Sequence, residues 1–424
     1  MKSTPFFCNF PKKLTLRDYQ DAKKDIICSL EKDSRVSSIY SFGSRVEEGL
    51  DPGISDMDFL VLIKKKVRAE LENKNRFEDK AYGSEIIRYI LMNQPACYPI
   101  SEGYLRHFSY FLCNATTRLQ CEKGYQVDYG EFCETKGVED KVVVLGVIAQ
   151  IIEMSIAKIC ILHGSLNSGR MDARLILKIL RGIKNNIKRM KVLGFTDTRW
   201  DNFIDYISVF RKDWHSFEKK DQETFLKEQR LLGLEICIEI LSELDQFLRN
   251  NIFTSLHGSK TARNLLMKVH DNRFILFSDF LWNKKQNLFL ALNKIRKINL
   301  KPWDIVVLPE SVFFYFSCHA QIDSLLGRSI RSMMAFPGVD ISVEKVDDSY
   351  RDAFFKQAEI YSQYWNFLLE NGFSYGIGGL TRLFYREHPL RNLKSRIKRV
   401  ISFFYKRNAL RKIQKLFGCD THGL

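Results

Sequence analysis

What the sequence lacks excludes several classes of protein. Its ten cysteines are scattered, with no C-x-x-C pair and no histidine at zinc-ligand spacing, so we expect reduced thiols and no structural zinc. No stretch of about 20 residues is free of charge, and residues 1–13 have no apolar run long enough for a signal peptide. Only nine prolines, no repeat and no low-complexity segment argue against long disordered regions. We therefore expect a cytoplasmic protein.

The most apolar part of the chain is residues 142–162. It contains Glu153 and Lys158, whose charges argue against a membrane-spanning helix. We expect a buried helix that ends at His163-Gly164, because glycine often caps the carboxyl end of a helix.

The composition is that of a folded protein with more than one domain. Of its 424 residues, 45% are hydrophobic and 27% are charged. At roughly 100 to 200 residues per domain, this length favours two or three domains. The periodicity predicts an α+β fold, in which an N-terminal mixed sheet with flanking helices is followed by a helical domain and a mixed C-terminal region. The predicted divisions are 1–138, 139–255, 256–380 and 381–424, and no role is predicted for the third.

Hydrophobic periodicity predicts the individual elements. Those predicted for the N-terminal part are a helix at 15–33, strands at 36–42, 58–63 and 107–113, a largely helical segment at 67–94 and a turn at 122–124. The later helices are predicted at 141–162, 171–192, 199–212, 222–249 and 348–371. The later strands are predicted at 273–277 and 303–308, while residues 312–318 fit either a strand or a helix.

The candidate site combines a Gly-Ser pair with two aspartates. Gly43 and Ser44 follow the strand predicted at 36–42, where free backbone N–H groups and the serine hydroxyl can hold a phosphate. Asp56 and Asp58 lie two residues apart at the start of the next strand, so both carboxylates point to the same side. Two carboxylates this close repel each other unless a cation lies between them, and hard oxygen ligands suit Mg²⁺. This combination indicates metal-assisted phosphoryl or nucleotidyl transfer.

The string Phe42-Gly43-Ser44-Arg45, followed by Gly49 and by Ser55-Asp56-Met57-Asp58-Phe59, resembles the signature of the polymerase-beta-like nucleotidyltransferase superfamily. The resemblance covers approximately residues 30–130, and it implies a nucleoside triphosphate as substrate and Mg²⁺ or Mn²⁺ as cofactor. It implies that Asp56 and Asp58 are the catalytic, metal-binding carboxylates. It also implies that Gly43 and Ser44 bind the nucleotide phosphates, with Arg45 either beside those phosphates or on the outer face.

The third carboxylate of the superfamily is not evident in this sequence. Members usually carry a further acid on the following strand, which helps to position the attacking hydroxyl. The matching strand is the one predicted at 107–113, where the corresponding residue is Ser109, and a serine cannot replace a carboxylate. Glu85 is a possible third acid only where residues 85–91 form a strand instead of a helix. Glu102 and Asp128 are further acids that folding could bring to the pair.

The net charge of +16 is concentrated at the C-terminal end. Residues 381–415 contain twelve lysines and arginines and a single acid, Glu387. Apolar residues at helical spacing from 390 to 404 predict an amphipathic helix with a basic face. Such a helix can bind an anionic membrane surface or nucleic acid, or it can pack on the body with its basic face in solvent. A peripheral position at the membrane is therefore an alternative to a purely cytoplasmic one.

These patterns favour a metal-dependent nucleotidyltransferase that moves a nucleoside monophosphate from a nucleoside triphosphate to a hydroxyl acceptor. A small molecule or a protein is the favoured acceptor, because no RNA-binding module is evident. The missing third acid leaves an alternative from another class. This alternative is a catalytically degenerate nucleotide-binding or scaffold protein, attached to a membrane or a partner through the basic segment 381–424.

Overall fold

A computed structural model of the chain describes residues 6–43, 50–64, 84–92, 97–105, 107, 119–124, 141–164, 170–253, 265–269, 273–282, 304–333, 346–373, 375–385, 412 and 415. The described residues form an α+β fold, as predicted. A mixed N-terminal sheet is followed by a helical region and by a second, smaller sheet with its own helices.

The elements are named here in chain order. The N-terminal elements are β1 (Phe6–Cys8), α1 (Leu16–Glu31), β2 (Val36–Phe42), β3 (Asp58–Ile63), α2 (Glu85–Ile90), β4 (Cys97–Ile100), α3 (Glu102–Leu105) and β5 (Gln120–Lys123). The central elements are α4 (Lys141–Gly164), β6 (Arg170–Asp172), α5 (Ala173–Val192), α6 (Asp201–Lys212) and α7 (Lys219–Asn251). The C-terminal elements are β7 (Leu265–Val269), β8 (Arg273–Phe277), α8 (Asp279–Trp282), β9 (Asp304–Leu308), α9 (Glu310–Gln321), α10 (Leu325–Met333), α11 (Asp348–Glu370) and α12 (Gly379–Phe384).

The N-terminal sheet has the strand order β4-β3-β2-β5. Strand β2 is antiparallel to both β3 and β5, while β4 is parallel to β3. Strand β3 lies between two others, and its residues after Asp58 are all apolar and buried, as is usual for a central strand. The strands predicted at 36–42 and 58–63 are thus confirmed.

Helix α1 begins where the sequence provides a capping box. The side chain of Thr15 accepts from the backbone N–H of Asp18, and the Asp18 carboxylate accepts from the backbone N–H of Thr15. The helix then buries one face, which consists of Tyr19, Ala22, Ile26 and Leu30. The helix predicted at 15–33 is therefore confirmed.

The strand that borders β3 on its outer edge is β4, at residues 97–100, which the sequence did not predict. Pro99 lies inside it, and proline argues against a strand except at a sheet edge, where its missing N–H is not needed. The strand predicted at 107–113 falls outside the described residues apart from His107, which lies in a turn. The turn predicted at 122–124 is corrected in part, because Gln120–Lys123 pairs with β2 as strand β5.

The helical region is built around α4, which packs against α5, α7, α11 and α12. The helices predicted at 141–162, 171–192, 199–212 and 222–249 are confirmed. Among the described residues, α4 is the one helix long and apolar enough to cross a membrane, and 83% of its apolar window is buried inside the fold. Packing against the neighbouring helices accounts for its apolar character.

The remaining strands form two further sets of pairings. Strand β1 pairs in parallel with β6, so the N-terminal segment is joined to the residues that precede α5. In the C-terminal part β7 is antiparallel to β8, and β8 is parallel to β9. Residues 312–318, which fitted either element, lie within helix α9, and the helix predicted at 348–371 is confirmed as α11.

The basic segment predicted to form a tail from residue 381 begins inside the fold. Helix α12 buries Leu380, Leu383 and Phe384, because it packs against α4 and α11. Apart from Lys412 and Lys415, the rest of this segment lies outside the described residues.

Candidate active site

The two aspartates lie in and directly after the loop that connects β2 to β3. We call residues 50–57 the aspartate loop. Asp56, at its end, is 9% exposed, and Asp58 is the first residue of β3. Gly43 ends β2 with a φ of 79°, a left-handed conformation that favours glycine. A Cβ atom on Gly43 would lie 3.5 Å from Oδ2 of Asp58, so the structure brings the glycine and this aspartate together.

Ser44 and Arg45, which the sequence predicted to bind nucleotide phosphates, lie outside the described residues. Their predicted role rests on the sequence alone.

The two carboxylates have opposite pKa shifts. Burial and the negative charge of Asp56 raise the pKa of Asp58 to about 7. Burial also opposes ionisation of Asp56, but an ion pair with Lys178 outweighs it and lowers the pKa of that carboxyl. Asp56 therefore ionises more readily than Asp58, which keeps its proton to a higher pH.

Lys178 comes from α5, more than 100 residues after the aspartates, and the sequence analysis missed it. Its ammonium group contacts Oδ2 of Asp56, and 28% of its side chain is exposed. The missed signal was a row of basic residues: Arg174, Lys178 and Arg181 recur at intervals of four and three, which places them on one face of the predicted helix.

Arg174 supports the aspartate loop through hydrogen bonds to its backbone. Its guanidinium donates to the backbone carbonyls of Ile54 and Ser55, at 3.3 and 3.0 Å. It also donates to the carbonyls of Tyr89 and Ile90 at the end of α2, and its Cζ lies 4.0 Å from the centre of the Tyr89 ring. One buried arginine therefore ties α5, α2 and the loop together, directly beside Asp56.

Two tyrosine hydroxyls complete the support of the loop. The Tyr19 hydroxyl donates to the carbonyl of Ser55 at 2.6 Å and accepts from the N–H of Gly53 at 3.2 Å. The Tyr89 hydroxyl donates to the carbonyl of Gly53 at 2.6 Å. Because these bonds satisfy buried backbone groups, the loop has one well-defined conformation.

Two ion pairs hold the start of the aspartate loop. The carboxylate of Asp51 accepts from Arg181 and from Arg211, each at 2.8 Å. These arginines belong to α5 and α6, so the helical region contacts the loop at both ends. A partly buried carboxylate with two charged donors is a strong attachment, because both of its hydrogen bonds are charge-assisted.

Tyr98 and Arg382 also lie near Asp58. Tyr98 is paired with Leu60 across β3 and β4, so its side chain lies on the same face of the sheet as that of Asp58. Arg382, from α12, donates to the Tyr98 hydroxyl at 3.1 Å and lies 3.8 Å from a carboxylate oxygen of Glu153 on α4. Arg382 falls within the basic tail predicted from the sequence, and neither residue was predicted to belong to the site.

The candidates for a third acid do not join the pair. Residues 85–90 form a helix, so the condition for Glu85 is not met, and Glu85 instead forms an ion pair with Lys12 at 2.9 Å with 80% of its side chain exposed. Glu102 is exposed at the start of α3, and Ser109 and Asp128 lie outside the described residues. Within the described part of the chain, no group of three or more His, Cys, Asp or Glu side chains converges.

The chemistry of the aspartate pair fits a divalent cation. The two like charges lie close together in a largely buried place, where burial and their mutual repulsion both raise the pKa of Asp58. A cation would relieve that repulsion. Two protein carboxylates suit Mg²⁺ or Mn²⁺, since the remaining coordination positions can be filled by water and by phosphate oxygens.

Comparison with known proteins agrees with this arrangement. Residues 22–96 match the family described as "Nucleotidyltransferase domain". The matched range contains Gly43, Asp56 and Asp58, together with α2 and the aspartate loop. No curated protein and no solved structure matches the chain. Residues 22–96 of this chain thus match a nucleotidyltransferase domain, which confirms the resemblance noted in the sequence.

Proposed function

We propose that the protein transfers a nucleoside monophosphate from a nucleoside triphosphate to a hydroxyl group of an acceptor. The observation that carries this proposal is the Asp56 and Asp58 pair, which lies beside the Gly43 turn and is flanked by Lys178 and Arg382. Two anionic metal ligands flanked by cationic side chains that can bind phosphate oxygens suit the transfer of a charged phosphoryl group.

Each side chain then has a distinct role. Asp56 and Asp58 would hold Mg²⁺ or Mn²⁺, which supplies neutralisation of phosphate charge and activation of the acceptor hydroxyl. Gly43 lets the backbone approach the phosphates, because it has no side chain to block them. Lys178 can leave its ion pair with Asp56 and bind a phosphate oxygen instead, since its side chain is partly exposed. Arg174 keeps the loop, and hence Asp56, in place.

The transfer itself consists of one displacement at the α-phosphorus. The acceptor hydroxyl releases its proton to water, its oxygen forms a bond to the α-phosphorus, the bond from that atom to the bridging oxygen breaks, and pyrophosphate leaves. We propose a small molecule or a protein as the acceptor, because no RNA-binding module is evident in the sequence and most of the net positive charge of the chain lies in residues 381–415.

Turnover of nucleoside triphosphates tests this function. Each of the four labelled nucleotides is incubated with Mg²⁺ or Mn²⁺ and with cell extract as a source of acceptors, and pyrophosphate release is measured. We expect metal-dependent release that is lost in the double variant Asp56→Asn/Asp58→Asn and retained in Glu85→Gln, which removes an exposed acid outside the site. Metal-dependent nucleotide binding without release, even with extract, would favour a degenerate nucleotide-binding or scaffold protein.

We also propose a cytoplasmic protein that is held at an anionic membrane surface by its basic C-terminal segment. The support is the excess of lysine and arginine over acid after Tyr385. A chain ending at Tyr385 should lose sedimentation with phosphatidylserine vesicles, and the full chain should not sediment with neutral phosphatidylcholine vesicles. Equal sedimentation of the two chains would contradict this attachment, and release by competing RNA would favour nucleic acid as the partner.

A further inference from the structure

Helix α12 presents a single exposed side chain. Its residues Leu380, Thr381, Leu383 and Phe384 are buried, whereas 35% of the Arg382 side chain is exposed. Gly378 and Gly379, at the start of the helix, both have a positive φ. A Cβ atom on Gly379 would lie 3.1 Å from Nε2 of Gln150 on α4 and closer still to the Tyr361 hydroxyl on α11, so glycine lets the helix approach both neighbours closely. The fold therefore brings one arginine from near the C-terminal end to a defined place on the N-terminal sheet.

That place is next to Asp58. Phe42 is the register partner of Asp58 across β2 and β3, so the two side chains share a face. The ring of Phe42 lies 6.1 Å from the ring of Tyr98, and the Tyr98 hydroxyl accepts a hydrogen bond from Arg382. The positive charge of Arg382 also acts on Asp58, because it opposes the rise of that pKa.

Arg382 keeps donors free for a ligand. A guanidinium has five N–H donors, which match phosphate oxygens in a bidentate geometry. From the described residues, Arg382 has one hydrogen bond, to Tyr98, and one looser ion pair, to Glu153 at 3.8 Å. Oε2 of Glu153 has no hydrogen-bond partner among the described residues, so this ion pair leaves hydrogen-bonding groups of both side chains unsatisfied.

We propose that Arg382 binds the triphosphate of the nucleotide substrate, opposite Lys178, and that the C-terminal part of the chain thereby completes the site. This inference rests on the proposed function and deepens it. The remaining N–H groups of the guanidinium take phosphate oxygens, while its bond to Tyr98 fixes its direction. Glu153 holds the side chain in place before the nucleotide binds.

Binding of inorganic tripolyphosphate with Mg²⁺ tests the inference without a requirement for a base, an acceptor or turnover. We expect Arg382→Gln to weaken binding about tenfold or more, because one charge-assisted contact is lost. Arg382→Lys should recover part of that loss. Arg351→Gln is the matched control, since it removes an exposed arginine of α11 that pairs with Asp348, and it should bind like the wild type. Thermal unfolding checks that all variants fold.

The variant Glu153→Gln distinguishes between two roles of Arg382, as a phosphate ligand or as a purely structural residue. When Arg382 binds phosphate, removal of its counter-charge should strengthen tripolyphosphate binding severalfold, and this gain should disappear in the Arg382→Gln background. A purely structural Arg382 predicts weaker binding or no change in Glu153→Gln.

The inference and the proposed function fail in different ways. Binding by Arg382→Gln within twofold of the wild type, or no tripolyphosphate binding by the wild type, would overturn the inference. Absence of pyrophosphate release together with Arg382-dependent binding would overturn nucleotidyl transfer and leave the inference standing.

Discussion

Asp58 links the ionisation of the site to the stability of the protein. Its pKa is raised from 3.8 to about 7, so the folded state binds a proton more tightly than the unfolded state. That proton stabilises the fold fully below about pH 4, and the contribution is lost as pH rises through about 7. In metal-free buffer, Asp58→Asn should therefore gain stability relative to the wild type as pH rises from 5 to 8, by on the order of 1–3 kcal/mol.

Urea unfolding of both proteins across this pH range, with EDTA present, measures the difference. A constant difference would show that Asp58 ionises normally. Added Mg²⁺ should raise the midpoint of the wild type more than that of the variant, because the variant has lost one metal ligand.

Lys178 supplies the charge that keeps Asp56 ionised beside Asp58. Lys178→Met should destabilise the protein by about 1–3 kcal/mol at pH 8, less than a fully buried pair, because the side chain is partly exposed. This loss of stability should be smaller at pH 5, because Asp58 is then protonated and no longer repels Asp56. The control is Lys191→Met on the same helix, which breaks an exposed pair with Asp201 and should cost at most about 1 kcal/mol. Equal losses at both pH values would argue against coupling to the aspartates.

At the scale of elements, the aspartate loop depends on one glycine. Gly53 has a φ of 82°, and a Cβ atom there would lie 1.9 Å from the carbonyl oxygen of Lys12. Gly53→Ala should therefore destabilise the protein by about 2 kcal/mol or more and weaken metal binding at Asp56. Gly103→Ala is the control, because its nearest neighbour, Oγ of Ser101, would be 4.0 Å away. Denaturant unfolding of the two variants makes the comparison, and similar midpoints would mean that the loop relaxes without cost.

The elements also show what a single sequence can predict. Helix α1, strands β2 and β3 and the long helices follow from local periodicity and capping, so their positions were predictable. Strand β4 was not, because it has four residues, includes Pro99 and exists only as an edge beside β3. The pairing of Asp56 with Lys178 and of Tyr98 with Arg382 was not predictable either. Each joins residues more than 100 positions apart, and no local pattern encodes such a contact.

For the whole molecule, the site is shared between regions that the sequence suggested were separate. Arg174 and Lys178 from α5 hold the loop and Asp56, and β1 pairs with β6 immediately before α5. The carbonyl of Pro99 on β4 accepts from Tyr364 of α11. The sheet therefore packs against elements from both later parts of the chain, and its apolar face would be exposed without them.

A fragment of residues 1–138 should consequently fail to fold cooperatively, whereas a chain ending at Tyr385 should fold and bind tripolyphosphate with Mg²⁺ like the full protein. The fragment lacks Arg174, so the carbonyl of Ile54 loses this donor and the carbonyl of Ser55 keeps only Tyr19. It also lacks Lys178, so Asp56 and Asp58 repel each other without the compensating charge of that side chain. Circular dichroism during thermal unfolding, followed by binding titrations, compares the two chains. Cooperative unfolding and metal-dependent binding by the fragment would mean that the N-terminal domain forms its site alone. The contacts of α5 and α12 would then serve the acceptor side and not the nucleotide.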